Sequence, residues 1–108
     1  MNYVGSKLPA LVAEELIAVN EVNPPFHSLH EGYAVIKEEV EETSEELAHM
    51  VEWLRALWAN VKNDSPNEAH RAAQKIQFYA LNTAAEAIQV AAMAQKLIYH
   101  ITEVDIYD

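Results

Sequence analysis

The chain has 108 residues, which is the length of one domain, and 51% of them are apolar, enough for a folded core. Seventeen acidic residues against seven basic ones give a formal charge of −10. This charge argues against nucleic acid or an anionic membrane as the main partner, because both bind basic surfaces. The chain has no cysteine, so disulfides and thiolate metal sites are excluded and a reducing, cytoplasmic location is allowed.

The composition is typical of an all-α protein. There are only two glycines and four prolines, alanine is abundant, and no β-branched alternation is present. No stretch is long and apolar enough to span a membrane, and no signal segment is visible. We expect one all-α domain over residues 1–108, in which 1–25 form an N-terminal helix and linker and 26–104 form the longer helices.

The first predicted helix runs from about Lys7 to Val22, because its apolar residues recur at helical spacing. Pro24 and Pro25 then end it, and an extended link is expected through "NPPFH".

The second helix is predicted to begin at "SLHE", where Ser28 and Glu31 are spaced as a capping box. From there apolar residues step by four and three, which predicts a heptad seam. The seam comprises Leu29, Tyr33, Ile36, Val40, Thr43, Leu47, Met50, Leu54, Leu57 and Val61.

The third helix is predicted to begin at "SPNE", with Pro66 at the first helical position, where a missing amide costs nothing. Its seam is rich in alanine, which allows close approach of another helix, and the acidic tail "EVDIYD" is expected to fray. This second seam comprises Ala69, Ala73, Ile76, Ala80, Thr83, Ala87, Val90, Ala94, Leu97 and Ile101.

Helices of this length do not close a globular core by themselves. About 34 residues at 1.5 Å each span roughly 50 Å, whereas a compact domain of this size has a radius of gyration near 13 Å. Either the helices break midway, or several chains associate. We expect the second: long antiparallel helices that form an oligomeric core of the four-helix-bundle type, a dimer or a tetramer, with a short N-terminal helix.

The stretch "AVIKEEVEETSEEL" is the first candidate for chemistry. At 100° per residue, Glu38, Glu39 and Glu42 lie within an arc of about 100° on the second helix. Such a cluster repels itself unless it is neutralised, and Mg²⁺ prefers carboxylate ligands. The alternative is that these acids form an ordinary solvated face. Glu41 and Glu45 point more to the far side of the helix, where solvation is expected.

Glu86 is the second candidate, because it stands alone in the apolar stretch "AAEAIQVAAMA". If the two long helices pair antiparallel around a turn near Asn63, Glu86 faces the 38–42 region and four carboxylates converge. The alternative is an exposed Glu86 at the edge of the seam, or one paired with Lys37.

The motif "EEVEE" followed by "EAIQ", with the lead-in "FHSLHEGYAVIKEE", resembles the signature of MazG-like all-α nucleotide pyrophosphohydrolases, especially small phage and prophage members. The resemblance covers about residues 26–100. It implies an oligomer that hydrolyses nucleoside triphosphates to monophosphate and pyrophosphate. The implied cofactor is Mg²⁺, with Mn²⁺ as the alternative.

By position, the resemblance makes Glu39, Glu42, Glu86 and Gln89 the metal ligands. Glu38 becomes a further ligand or the catalytic group that orients the attacking water. Gln89 departs from the family, which has Asp there. A Gln carbonyl can coordinate a cation, but it brings no charge and cannot act as a base, which is expected to lower metal affinity.

Lys96 and His100 follow Glu86 on the same helical stripe and are the candidate substrate-binding residues, since they could reach a triphosphate. The alternative is solvation of Lys96 and an edge position for His100. Two other functions stay open beside the hydrolase: a catalytically degenerate helical protein that acts as an oligomeric interaction or nucleotide-binding module, and an acidic mimic of nucleic acid.

Overall fold

A computed structural model describes residues 3–107 of the chain, with side chains described for residues 3–102. It contains helix α1 from Tyr3 to Val22, helix α2 from Leu29 to Lys62 and helix α3 from Pro66 to Tyr107. No strand occurs within residues 3–107, which confirms the all-α prediction. Both long helices continue without a break, so the alternative of a break midway is wrong for this part of the chain.

Helix α1 begins four residues earlier than predicted, at Tyr3 instead of about Lys7. The structure places Pro9 inside the helix. An extra turn precedes it, in which the Ser6 hydroxyl donates to the Tyr3 carbonyl at 2.6 Å.

One of the two hydrogen bonds of the predicted capping box is present at the start of α2. The backbone amide of Glu31 donates to the Ser28 hydroxyl oxygen at 3.1 Å, which satisfies one of the amides that a helix N-terminus leaves without a partner. The Glu31 carboxylate contacts Nδ1 of His27 at 2.9 Å. This contact joins His27, the residue before the cap, to the first turn of α2.

The turn between α2 and α3 is a Schellman motif. The amide of Ser65 donates to the Asn60 carbonyl at 2.9 Å and the amide of Asp64 donates to the Val61 carbonyl at 3.2 Å. Asp64 has φ of 49°, a left-handed conformation that Asp tolerates better than most residues. Helix α3 then begins at Pro66, as predicted.

The chain divides into two compact units. The first comprises residues up to Val40 together with residues from Glu86 onward. Its core contains Leu16, Phe26, Ala92 and Met93, against which Leu97 packs. Gly32 lies against this core so closely that an added Cβ would stand 2.6 Å from Cδ1 of Leu97. The small size of this glycine therefore sets how near the start of α2 comes to α3.

The second unit comprises Glu41–Ala85 and is an antiparallel helical hairpin. Its cross-helix contacts include a polar pair and an aromatic pair. The Asn82 amide donates to the Glu46 carboxylate at 3.3 Å, and the rings of His49 and Tyr79 stack at 5.0 Å. With increasing distance from the turn, the paired residue numbers fall along α2 and rise along α3. The two pairs therefore fix the antiparallel register of the helices.

The predicted seam of α2 is not the side of the helix that is covered within this chain. Its members Ile36, Thr43, Met50 and Leu57 are half-buried. The other six are between 45% and 63% exposed: Leu29, Tyr33, Val40, Leu47, Leu54 and Val61. Most of this seam is therefore uncovered within a single chain, and the side of α2 that the chain covers carries more polar residues.

Helix α3 extends through Tyr107, past the end of its predicted seam. The side chains of the acidic tail from Glu103 lie outside the described residues. None of the described helices is long and apolar enough to cross a membrane.

Candidate metal centre and adjoining clefts

Glu39 and Glu86 lie side by side in the first unit, although they belong to different helices. Each offers a carboxylate oxygen within 4.8 Å of the other. Glu42 stands three positions after Glu39 on α2, so the helix places it on the neighbouring turn of the same surface. It offers an oxygen within 4.8 Å of that of Glu39. The three side chains form an acidic group that could hold a metal ion.

This placement follows from helix geometry and from the position of the turn. The turn spans Asn63 to Ser65, and antiparallel helices bring together residues about equally far on either side of it. Glu39 and Glu86 satisfy that condition, and the 100° rotation per residue turns Glu42 to the same side as Glu39. The prediction that Glu86 faces the acidic stretch of the second helix is confirmed for Glu39, its neighbour in the first unit.

The chemistry of this donor set fits a hard divalent cation. Around Mg²⁺, oxygen ligands stand about 2.1 Å from the metal. Adjacent ligands are thus about 3 Å apart and opposite ones about 4.2 Å. A limit of 4.8 Å between the carboxylate oxygens requires only small side-chain adjustments to reach these values. All three residues are half-buried, a setting in which close like charges are costly without a counter-ion.

Glu38 does not join this group. Its side chain is exposed, and the carboxylate group that the structure brings together comprises Glu39, Glu42 and Glu86. The prediction that four carboxylates converge is therefore wrong in the number of residues. One helical step from Glu39 turns the Glu38 side chain by about 100°, which accounts for its exposed position beside the group.

A first cleft of about 330 Å³ adjoins the acidic group within the first unit. Its lining includes Glu39 from the group and Gln89, which follows Glu86 by one turn of α3. The remaining polar lining comes from Glu15, Asn23, Glu31 and Lys96, and its apolar part includes Phe26 and Met93. Gln89, predicted from the sequence as a fourth ligand, thus lines the same cleft as Glu39. Glu15, Asn23 and Glu31 have no sequence signal that would have assigned them to this cleft.

Lys96 is buried, with 7% of its surface exposed. The alternative that it is a solvated surface lysine is therefore wrong. Its ammonium group lies over the ring of Phe26, 4.8 Å from the centroid, an attraction that partly replaces water. Lys96 lines the first cleft and also a second one of about 360 Å³.

His100 lies in the lining of the second cleft, with Asn20, Asn23, Phe26 and Tyr99, and not in that of the first. It is half-buried. The two predicted substrate-binding residues are therefore divided: Lys96 faces both clefts, whereas His100 does not reach the cleft that contains Glu39. The sequence placed both on one helical stripe, and Phe26, from the link after α1, lines both clefts.

Glu31 connects the cap of α2 with the first cleft. The hydrogen bond from the His27 ring is the main cause that lowers the pKa of Glu31 below its ordinary value of 4.5, and the charge of Lys96 adds a smaller effect in the same direction. Glu31 is thus held as a carboxylate near the lysine, and part of the positive charge of Lys96 is balanced on the side of the first cleft.

A search of this chain against protein-family models, curated proteins and solved structures returns no match. The fold therefore defines an all-α helical protein, and any closer assignment depends on the site itself.

Proposed function

We propose that this chain is a Mg²⁺-dependent nucleoside triphosphate pyrophosphohydrolase of the MazG-like kind. The observation that carries the proposal is the group formed by Glu39, Glu42 and Glu86, in which carboxylates from two helices approach within 4.8 Å. These are the acids that the motif resemblance assigns to metal binding. A cleft large enough for part of a nucleotide adjoins them.

In this proposal the chain contributes three kinds of group to the hydrolysis. Glu39, Glu42 and Glu86 hold the cation, with the Gln89 carbonyl as an uncharged fourth ligand. Mg²⁺, when bound, offsets the negative charge of the phosphates and promotes attack by water. Glu38 orients that water from the exposed side of α2, and the buried Lys96 contacts the phosphate chain from the first cleft. Water adds to the α-phosphorus and the bond to the bridging oxygen breaks, which leaves a monophosphate and pyrophosphate.

A homo-oligomer is part of the proposal. Six of the ten predicted seam residues of α2 are between 45% and 63% exposed, and a continuous apolar face of that kind marks an association surface. A second copy of this chain supplies a matching face, so that two or four chains complete the helical bundle.

The departure at Gln89 favours a second candidate function. Three carboxylates and one amide bind a cation less strongly than four carboxylates, so the chain could hold a nucleotide and its Mg²⁺ without turnover. This alternative is an oligomeric nucleotide-binding module that has lost hydrolysis.

A pyrophosphate-release assay over the common ribo- and deoxyribonucleoside triphosphates tests the proposal. The wild-type protein is expected to release pyrophosphate with Mg²⁺ and not with EDTA. Glu39→Gln and Glu86→Gln are expected to lower the rate by at least about a hundredfold, as loss of charged groups at the reacting centre commonly does. Glu45→Gln, which removes the same charge from an exposed position of α2, serves as the matched control.

The outcomes separate the two functions. Release by the wild type that exceeds release by both cluster variants supports the hydrolase. Nucleotide binding that depends on Mg²⁺ and on Glu86, without release of pyrophosphate, supports the binding module. Equal behaviour of all variants contradicts both.

A further inference from the structure

The lining of the second cleft contains basic side chains, whereas the chain as a whole is strongly acidic. The chain carries a formal charge of −10, and the first cleft is lined by three carboxylates, those of Glu15, Glu31 and Glu39. Among the described residues that line the second cleft there is no carboxylate, while Lys96 and His100 both lie in its lining. Although Glu31 offsets part of the Lys96 charge on the side of the first cleft, the lining of the second cleft joins this lysine and an imidazole with no acid, which favours a negatively charged ligand.

The remaining polar lining also suits an anion. Asn20 and Asn23 carry amide N–H groups and Tyr99 carries a phenolic O–H, and donors of this kind solvate phosphate oxygens. Asn23 already donates to the Val19 carbonyl at 3.3 Å, which orients its amide and leaves one N–H. Thr102 is excluded as a donor, since its hydroxyl donates to the Ile98 carbonyl at 2.9 Å.

The ammonium group of Lys96 is held in place before any ligand binds. The side chain is 7% exposed and its charge lies 4.8 Å from the centre of the Phe26 ring. A positioned, largely desolvated cation interacts with an anion more strongly than a mobile surface lysine does, because less side-chain entropy is lost and the local dielectric is lower.

The size of the cleft exceeds what a bare phosphate needs. At about 360 Å³ it falls in the range of sites for small organic ligands. Phe26 and Tyr99 offer aromatic surface beside the charged groups, and such surface accommodates a sugar or a base.

We propose that the second cleft is a metal-independent binding site for a small organic phosphate, such as a nucleoside monophosphate, with the phosphate at Lys96 and His100 and the organic part against Phe26 and Tyr99. This site is separate from the acidic group, because neither Glu39 nor Glu86 lines it. The proposal does not rest on hydrolase activity, and it stands or falls without Mg²⁺.

The test is a calorimetric titration in EDTA with adenosine monophosphate, cytidine monophosphate and inorganic phosphate as probes. Wild-type protein is expected to show saturable binding of a monophosphate, and tighter binding of it than of inorganic phosphate. Lys96→Met is expected to weaken binding at least about tenfold, the loss typical of a charge-assisted hydrogen bond. His100→Gln is expected to weaken it several-fold.

Two controls keep the result interpretable. Lys62→Met removes an equal charge in the second unit and is expected to bind like wild type, and Glu86→Gln is expected to do the same. Because Lys96→Met removes a buried group that contacts Phe26, its fold is checked by circular dichroism, and His100→Gln provides an independent measurement.

NMR spectra of the side-chain amides of Asn20 and Asn23 report whether the ligand enters this cleft. Shifts confined to these amides and to His100 support the proposal. Absence of saturable binding by wild type at millimolar concentrations, or equal losses in Lys62→Met and Lys96→Met, overturns it. A protein that releases pyrophosphate but fails this titration retains the proposed function and loses only the second site.

Discussion

The carboxylates of Glu39 on α2 and Glu86 on α3 offer oxygens within 4.8 Å of each other in the first unit. Each is half-buried. Like charges this close repel each other, and a cation bound between them would offset that repulsion. Added divalent cation is therefore expected to stabilise the fold, and this effect can be measured without knowledge of a substrate.

Mg²⁺ is expected to raise the melting temperature of the wild-type protein, because a ligand that binds only the folded state stabilises it by an amount that grows with the logarithm of its concentration over Kd. Glu86→Gln is expected to lower Mg²⁺ affinity by roughly tenfold, since it removes one of three charged ligands. Thermal scans from 0 to 10 mM MgCl₂ measure the shift, with Glu45→Gln as control. A shift of the same size in Glu86→Gln would show that Mg²⁺ binds elsewhere.

Gln89→Asp is expected to strengthen cation binding, because it restores an acid at the position where the resembled family has one. Gln89 lines the first cleft with Glu39, so the new carboxylate adds a fourth charge near the group. We expect roughly tenfold tighter Mg²⁺ binding, with lower stability than wild type in EDTA. Isothermal titration measures the affinity. Gln74→Asp, which adds the same charge at an exposed position of α3, is the control, and equal effects of the two would refute the assignment.

Gly32→Ala is expected to destabilise the first unit. The added Cβ would stand 2.6 Å from Cδ1 of Leu97 and 3.3 Å from Cδ2 of Phe26. Overpacking of this kind costs about 1–3 kcal/mol, whereas alanine gains about 1 kcal/mol over glycine in a helix. A net loss of about 1 kcal/mol follows, measured by denaturant unfolding.

The same substitution has an internal control. In a Leu97→Ala background the clash with Leu97 is gone, so Gly32→Ala is expected to become neutral or stabilising there. If Gly32→Ala costs the same in both backgrounds, the contact with Leu97 does not determine its effect.

Stability is expected to depend on the contact between His27 and Glu31 at acid pH. The hydrogen bond from His27 lowers the pKa of Glu31 in the folded state below 4.5. A carboxyl group with a lowered folded pKa contributes stability above its unfolded pKa and loses it as the pH falls through the folded value. The contribution is therefore present at pH 5 and disappears progressively below pH 4.5.

Urea unfolding of wild type and His27→Ala at pH 7, 5 and 3 measures this dependence. The difference in unfolding free energy between the two proteins is expected to be present at pH 7 and 5 and to shrink at pH 3. The pair is solvent-accessible, with side chains 75% and 39% exposed, so the difference is small. A difference that grows between pH 5 and pH 3 would contradict the sign of the pKa change.

Association of several chains is expected to depend on the exposed face of α2. Leu54 is 57% exposed, so Leu54→Lys disturbs little within the chain but places a charge in the proposed interface. Light scattering coupled to gel filtration is expected to show a dimer or tetramer for wild type and a smaller species for Leu54→Lys. Ile17→Lys, at a position 63% exposed on α1, is the control, and a monomeric wild type excludes the oligomer.

The sequence by itself determined the helical elements and the residues that end them. Pro25 and Ser28 precede α2, and Pro66 opens α3, because backbone amides and proline rings act over only a few residues. The position of the turn near Asn63 then placed Glu86 opposite Glu39, since the helical rise per residue is constant.

The tertiary structure alone decided which side of α2 is covered and what surrounds each candidate side chain. The heptad seam did not show which of its residues the chain itself covers: Leu47 and Leu54 are exposed in a single chain. Lys96 is buried against Phe26, and His100 faces a different cleft from Glu39. The rotation of a helix about its axis depends on contacts summed over all of its neighbours, including residues distant in sequence, and no local pattern contains that sum.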